Sequence, residues 1–200
     1  MAGKKVAKKK SAGKNSRNKG FIERNWTLLL GVFAMGLLLF GIVSADGSLQ
    51  QKSLFLVGAV LLGLIAVADR REMFIALQAV IVLGTVIGFF PFLPDAGRYG
   101  LMILGGLVAL AFLLIRGYFK TDRWGILGAL GLFVLALGFA TDPSVNPMWF
   151  NAFLAFGSMA VAAYSGIGFA GGVRIAVLWL LLNIAFAVKP LLSLAGMLGS

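Results

Sequence analysis

The side chains best suited to chemistry in this sequence are neutral amides. Gln78, Asn151 and Asn183 each stand in an apolar stretch, and Trp179 precedes Asn183 by four residues. Four residues are one helical turn, so the indole and the amide share a helix face. An amide supplies both donors and an acceptor, and an indole supplies a flat apolar face with one N–H. Together they could hold a small neutral solute, with Gln78, Asn151 and Asn183 hydrogen-bonding it and Trp179 packing against it. The same amides could instead tie one helix to another, at about 0.6 kcal/mol per contact in a membrane. Thr85, Ser158 and Tyr164 add further neutral polar groups.

Harder chemistry has no residues to carry it. The 200 residues include no cysteine and no histidine. Thiol nucleophiles, disulfides and iron–sulfur clusters are thereby excluded, as are imidazole bases and the usual zinc and haem ligands. The acids Glu23, Asp46, Asp69, Glu72, Asp95, Asp122 and Asp142 all fall in the tail or in the breaks between the apolar stretches, Asp69 at the very end of the second. Neither a carboxylate proton relay nor a buried countercharge is therefore expected. Arg174 and Lys189 stand near the ends of the last stretch, from which long side chains can snorkel to the interface. No enzyme activity, cofactor or metal is expected.

Two motif matches lack the context that would give them meaning. Gly166, Gly168 and Gly171 match the dinucleotide fingerprint, but they join two apolar stretches, and Phe186 and Ala187 stand where its acid would fall. Asn25-Trp26-Thr27 matches a glycosylation sequon at the expected cytoplasmic border, where it would not be used.

What must position the amides is a set of membrane helices. The chain is 60% hydrophobic and 12% charged, with a mean hydropathy of +0.97, whereas soluble domains are about 25% charged. A spanning helix needs about 20 mostly apolar residues. Seven candidates occur, near 26–44, 53–69, 73–92, 99–117, 124–141, 148–168 and 173–191. The breaks between them carry the acids, most of the prolines and clusters of Asp, Gly and Ser, as turns should. The expected fold class is an all-α integral membrane protein of seven transmembrane helices, residues 25–200, behind a tail at 1–24.

That tail holds much of the formal net charge of +11. Lys4, Lys5, Lys8, Lys9, Lys10, Lys14, Arg17 and Lys19 occur there among Gly, Ala, Ser and Asn, a composition that cannot bury a core and reads as disordered. Lys4, Lys5, Lys8, Lys9 and Lys10 could contact anionic lipid, at about 1 kcal/mol per residue, or simply remain solvated and set orientation. Nucleic acid is not expected, because no aromatic residue is interleaved for base stacking.

An N-terminus on the cytoplasmic side puts the tail inside with Arg70, Arg71, Arg116, Lys120, Arg123 and Arg174. It leaves Lys52, Arg98 and Lys189 outside, as the positive-inside rule requires. Seven spans then carry the C-terminus to the outer face of a cell membrane. Alternatively, Val43-Ser44-Ala45 could end a cleaved secretory signal, although the first apolar run is long enough to remain as a helix.

The first and fifth spans open alike, on Arg24-Asn25-Trp26 and Arg123-Trp124, and close alike, on Asp46-Gly47-Ser48 and Asp142-Pro143-Ser144. Both run outward, so a duplication would be parallel, with the fourth span as the extra crossing of a 3+1+3 arrangement. Arg-Trp and Asp-Gly-Ser could equally be border markers. This arrangement resembles the SWEET-like superfamily, including the PnuC-type vitamin transporters. Leu178-Trp179 with Asn183 looks like the Trp…Asn pair of their last helix, and the stretch from Ile81 to Tyr164 is similar in spacing to the YgjV-type inner-membrane proteins. The Pro-Gln signature of many SWEET-related helices is missing, and the first and fifth spans contain no proline.

The resemblance implies alternating-access transport of a small solute. The scarcity of polar groups within the spans points to a different class: a membrane scaffold, assembly factor or small subunit of a complex. Gly84 and Gly88 form a GxxxG pair, open to close internal packing or to a homo-oligomer contact.

Overall fold

A computed structural model describes residues 21–44, 48–90, 92–141, 143 and 145–199. The path is α1 (Phe21–Val43), α2 (Leu49–Ala68), α3 (Glu72–Gly88), α4 (Asp95–Ile115), the single turn α5 (Tyr118–Thr121), α6 (Gly125–Ala140), α7 (Pro147–Ala170) and α8 (Ala176–Gly199). Among the described residues every regular element is a helix, and each apolar stretch of the sequence coincides with one.

The boundaries differ where polar residues are helical. α1 begins at Phe21, inside the stretch expected to be tail, because no breaker separates Gly20 from Asn25. Lys4, Lys5, Lys8, Lys9 and Lys10 lie outside the described residues. The start of α2 includes Gln50, Gln51 and Lys52, which an apolar window misses, and Ser48 caps it by accepting a bond from the Gln51 amide at 3.1 Å. Pro147 opens α7, where its missing N–H costs nothing. α8 continues through Pro190 to Gly199, so Lys189 stands on the exposed face well before the helix end rather than near it.

α1, α2, α4, α7 and α8 are each long and apolar enough to cross a membrane. α3 and α6 have 17 and 16 residues, about 25 Å at 1.5 Å per residue, against a hydrocarbon core of about 30 Å. These two short helices are the central ones. α3 packs against α2, α4 and α6, and α6 against α3, α4 and α7. The circuit closes through α7·α8, α8·α1 and α1·α2, which leaves α4 outside the ring against α3 and α6.

Small residues allow the closest approaches. A Cβ added at Gly157 of α7 would lie 2.7 Å from the Leu135 backbone nitrogen and 3.1 Å from the Gly131 carbonyl oxygen of α6. Gly84 of the GxxxG pair faces inward, where an added Cβ would meet Phe139 at 3.0 Å; at Gly88 it would meet only Lys52 Cε, at 3.9 Å.

The outer surface is apolar. Phe33, Phe40, Leu104, Val108, Leu114 and Leu192 are all exposed, which suits the bundle to lipid and not to water. Because successive helices run back and forth, the α2–α3, α4–α6 and α7–α8 turns share one end. Arg70, Arg71, Arg116, Lys120, Arg123 and Arg174 collect there, and it is called the basic end below.

Candidate functional site

At the basic end three helices bring aromatic rings into one layer. α3 supplies Phe74, α7 Tyr164 and α8 Trp179. Phe74 and Trp179 are stacked, with centroids 4.1 Å apart and planes 10° from parallel. Tyr164 tilts against Phe74 at 5.9 Å and 58°. Trp179 is fully buried and Phe74 nearly so. Ser165 is level with Trp179: Gly168 and Ala176 are neighbours across the antiparallel α7–α8 pair, and each residue lies three positions further from the turn.

Gln78 follows Phe74 by one turn of α3, and Asn183 follows Trp179 by one turn of α8. Both amides thus lie beyond the stacked pair as seen from the basic end. Gln78 is 1% exposed, and among the described residues neither its Oε1 nor its Nε2 has a hydrogen-bond partner. The Trp179 Nε1–H and the Ser165 hydroxyl are also buried without one. A buried polar group left unpaired costs about 1–3 kcal/mol, which a small molecule offering a donor and an acceptor would recover.

The other amides are placed differently. The Asn183 Nδ2 donates to the Trp179 carbonyl at 2.8 Å, within its own helix. The Asn151 Nδ2 donates to the Pro147 carbonyl at 2.8 Å, in the first turns of α7 at the opposite end of the bundle. The structure therefore brings Gln78, Trp179 and Asn183 toward one region and leaves Asn151 apart from them. Thr85 likewise bonds within its own helix, to the Ile81 carbonyl at 2.8 Å. The Ser158 hydroxyl is buried without a partner among the described residues, one face-repeat along α7 from Ser165.

Beneath the aromatic layer a pocket of about 250 Å3 opens at the basic end, lined by Arg71, Glu72, Phe74, Tyr118, Asp122 and Tyr164 among others. Asp122 organises its rim. The Asp122 Oδ1 accepts the Trp124 amide at 2.9 Å, two residues on, and so closes the turn that leads into α6. Its Oδ2 lies within hydrogen-bond distance of the hydroxyls of Tyr118, at 2.7 Å, and Tyr164, at 2.9 Å; the two phenol oxygens are also in contact, and their two protons are shared among the three oxygens. Burial, then the Tyr164 hydrogen bond and the Asp122 carboxylate, push the Tyr118 hydroxyl well above its usual range, so it stays protonated as a donor. Across the mouth Arg116 reaches Glu72 at 3.5 Å. Among the described residues no group of three or more Asp or Glu side chains could hold a metal ion.

Sequence reasoning missed Asp122, Tyr118 and Phe74 as parts of a site. The Tyr118–Asp122 spacing of four was a readable signal. The pairing of Asp122 with Tyr164, 42 residues away, was not. Comparison of the chain with protein-family models, with curated proteins and with solved structures finds no match.

Proposed function

We propose that this protein is a seven-span carrier for a small neutral solute, with its N-terminus in the cytoplasm of a cell whose plasma or inner membrane it occupies. One observation carries the reading. An amide with two unpaired hydrogen-bonding atoms, Gln78, is buried one turn beyond the aromatic pair Phe74–Trp179, and a pocket opens on the other side of that pair. The pocket is the inner vestibule, the aromatic pair is the barrier, and the solute binds where it can bond Gln78 and Asn183 while packing on Trp179. Alternating access moves the triplet α1–α3 against α6–α8, with α4 as the bridging crossing of a 3+1+3 parallel repeat. The ring order of the helices and the resemblance to SWEET-like carriers support that assignment. The positive charge at the basic end supports the orientation.

A second reading, a scaffold or small subunit of a membrane complex, is favoured by Asn151 and Asn183, whose amides bond within their own helices. Thermal unfolding in detergent against nucleosides, sugars, amino acids and vitamins separates the two. A solute at 100 times its dissociation constant stabilises the fold by about 2.7 kcal/mol. The carrier reading expects such a shift from one class of solute, and its loss in Gln78→Leu. If no solute shifts the wild type, the scaffold reading stands.

A further inference from the structure

A second cavity lies on the outer side of the bundle. Between α3 and α4 runs a groove of about 370 Å3, lined by Ala76, Ala79, Leu83, Gly105, Val108 and Phe112, with almost no polar surface. Ala76 and Ala79 add little bulk to the α3 wall, and the Leu83 side chain lies over Gly105 on the other. Its end toward the basic side is marked by charge. Arg116 follows Phe112 by one turn of α4, Glu72 precedes Ala76 by one turn of α3, and these two form the 3.5 Å ion pair. The Arg116 side chain nevertheless remains 59% exposed, and Lys120 stands exposed on α5 just beyond it.

The geometry points to a site for an anionic phospholipid, one acyl chain in the α3–α4 groove and its phosphate on Arg116 and Lys120. The lining and the charge at its end decide the occupant. An almost wholly apolar furrow on a surface suited to lipid takes a hydrocarbon chain. Charge decides the headgroup: a guanidinium engaged on one side by a carboxylate keeps donors free for a phosphate oxygen, and basic pockets between spanning helices are where anionic headgroups bind. The site is separate from the lysine-rich tail and does not depend on whether the bundle carries a solute.

The test uses the full-length chain in a mild nonionic detergent, titrated with phosphatidylglycerol or with phosphatidylcholine of the same chains, and reads the unfolding temperature. Phosphatidylglycerol should stabilise more. Ala79→Trp, which fills the groove from an exposed position of α3, should abolish the difference; Val108→Trp, from the facing wall, should do the same should the first variant fold poorly. Arg116→Gln should raise the half-stabilising concentration about fivefold, the equivalent of about 1 kcal/mol for one basic residue. Replacing Lys4, Lys5, Lys8, Lys9 and Lys10 by Gln should leave the difference intact. The proposal is overturned by equal stabilisation from the two lipids, by persistence of the difference in both groove-filling variants, or by its loss in the tail variant. It is also overturned if Ala79→Trp turns a dimer into a monomer on size-exclusion chromatography without changing the lipid response, which would assign the groove to a second copy of the chain.

Discussion

The ring of Phe74 lies flat on the indole of Trp179, centroids 4.1 Å apart, and joins α3 to α8 across the interior of the helix ring. Offset stacking of two aromatic rings is worth about 0.5–1.5 kcal/mol beyond the area they bury. The pair also separates the pocket at the basic end from the unpaired amide of Gln78.

Phe74→Ala should therefore lose both packing and closure. Truncating a buried phenylalanine costs about 3–5 kcal/mol, so the unfolding temperature in detergent should fall clearly. Phe74→Leu retains more of the volume and should lose less. A solvent-accessible probe at Gln78, such as a Cys introduced there in this cysteine-free chain, should react faster with a water-soluble maleimide when Phe74 is Ala. Equal reactivity in both backgrounds would mean that the ring is not the barrier.

Gln78 and Asn183 should respond oppositely to removal of their amides without any solute. Gln78→Leu replaces a group that has no partner among the described residues and should raise the unfolding temperature, the relief being of the order of 1–3 kcal/mol. Asn183→Leu breaks the bond to the Trp179 carbonyl and should lower it, by about 0.5–1.5 kcal/mol. Differential scanning fluorimetry on both variants measures the contrast.

The Tyr118 hydroxyl carries a pH signature. Its titration is shifted upward in the folded protein, by burial first and then by Tyr164 and Asp122. An unfolded tyrosine titrates near 10. A raised value means that the folded state binds the proton more tightly, so the stabilisation is complete below about pH 10 and is lost as the pH rises toward the folded value. Wild type should exceed Tyr118→Phe in unfolding temperature at neutral pH, and the gap should narrow above about pH 10. A gap that stays constant to pH 11 would remove Tyr118 as the titrating group.

The α6–α7 contact tolerates no added methyl. Gly157→Ala would place a Cβ 2.7 Å from the Leu135 backbone nitrogen, and backbone cannot yield as a side chain can. Overpacking of this kind costs about 1–3 kcal/mol. Gly36→Ala, with nothing within 4 Å of the new atom, should instead stabilise α1 by up to about 1 kcal/mol through helix propensity. Thermal unfolding of the two variants side by side checks the sign of each.

Much of the fold was legible without coordinates. The apolar stretches matched α1–α4 and α6–α8 because a chain whose surroundings are apolar must satisfy its backbone within each segment, and helices do so. That constraint depends only on composition along the chain. The ends were less legible, since Gln50, Gln51 and Lys52 are helical yet polar, and α8 passes through Pro190.

Which faces meet was a different matter. Helices such as α3 and α6 are apolar nearly all round, and a helix with no polar face gives no direction in which to pack it. Trp179 and Asn183 share a face by spacing alone, and both are buried on α8. Tertiary packing alone set Phe74 against Trp179, carried Asp122 from a turn to the hydroxyl of Tyr164, and left Gln78 unpaired while Asn151 and Asn183 bonded to their own helices. Hydropathy is a property of single residues and can be summed along a sequence. Hydrogen-bond satisfaction and close contact are properties of pairs, and pairs between helices exist only once the bundle has closed.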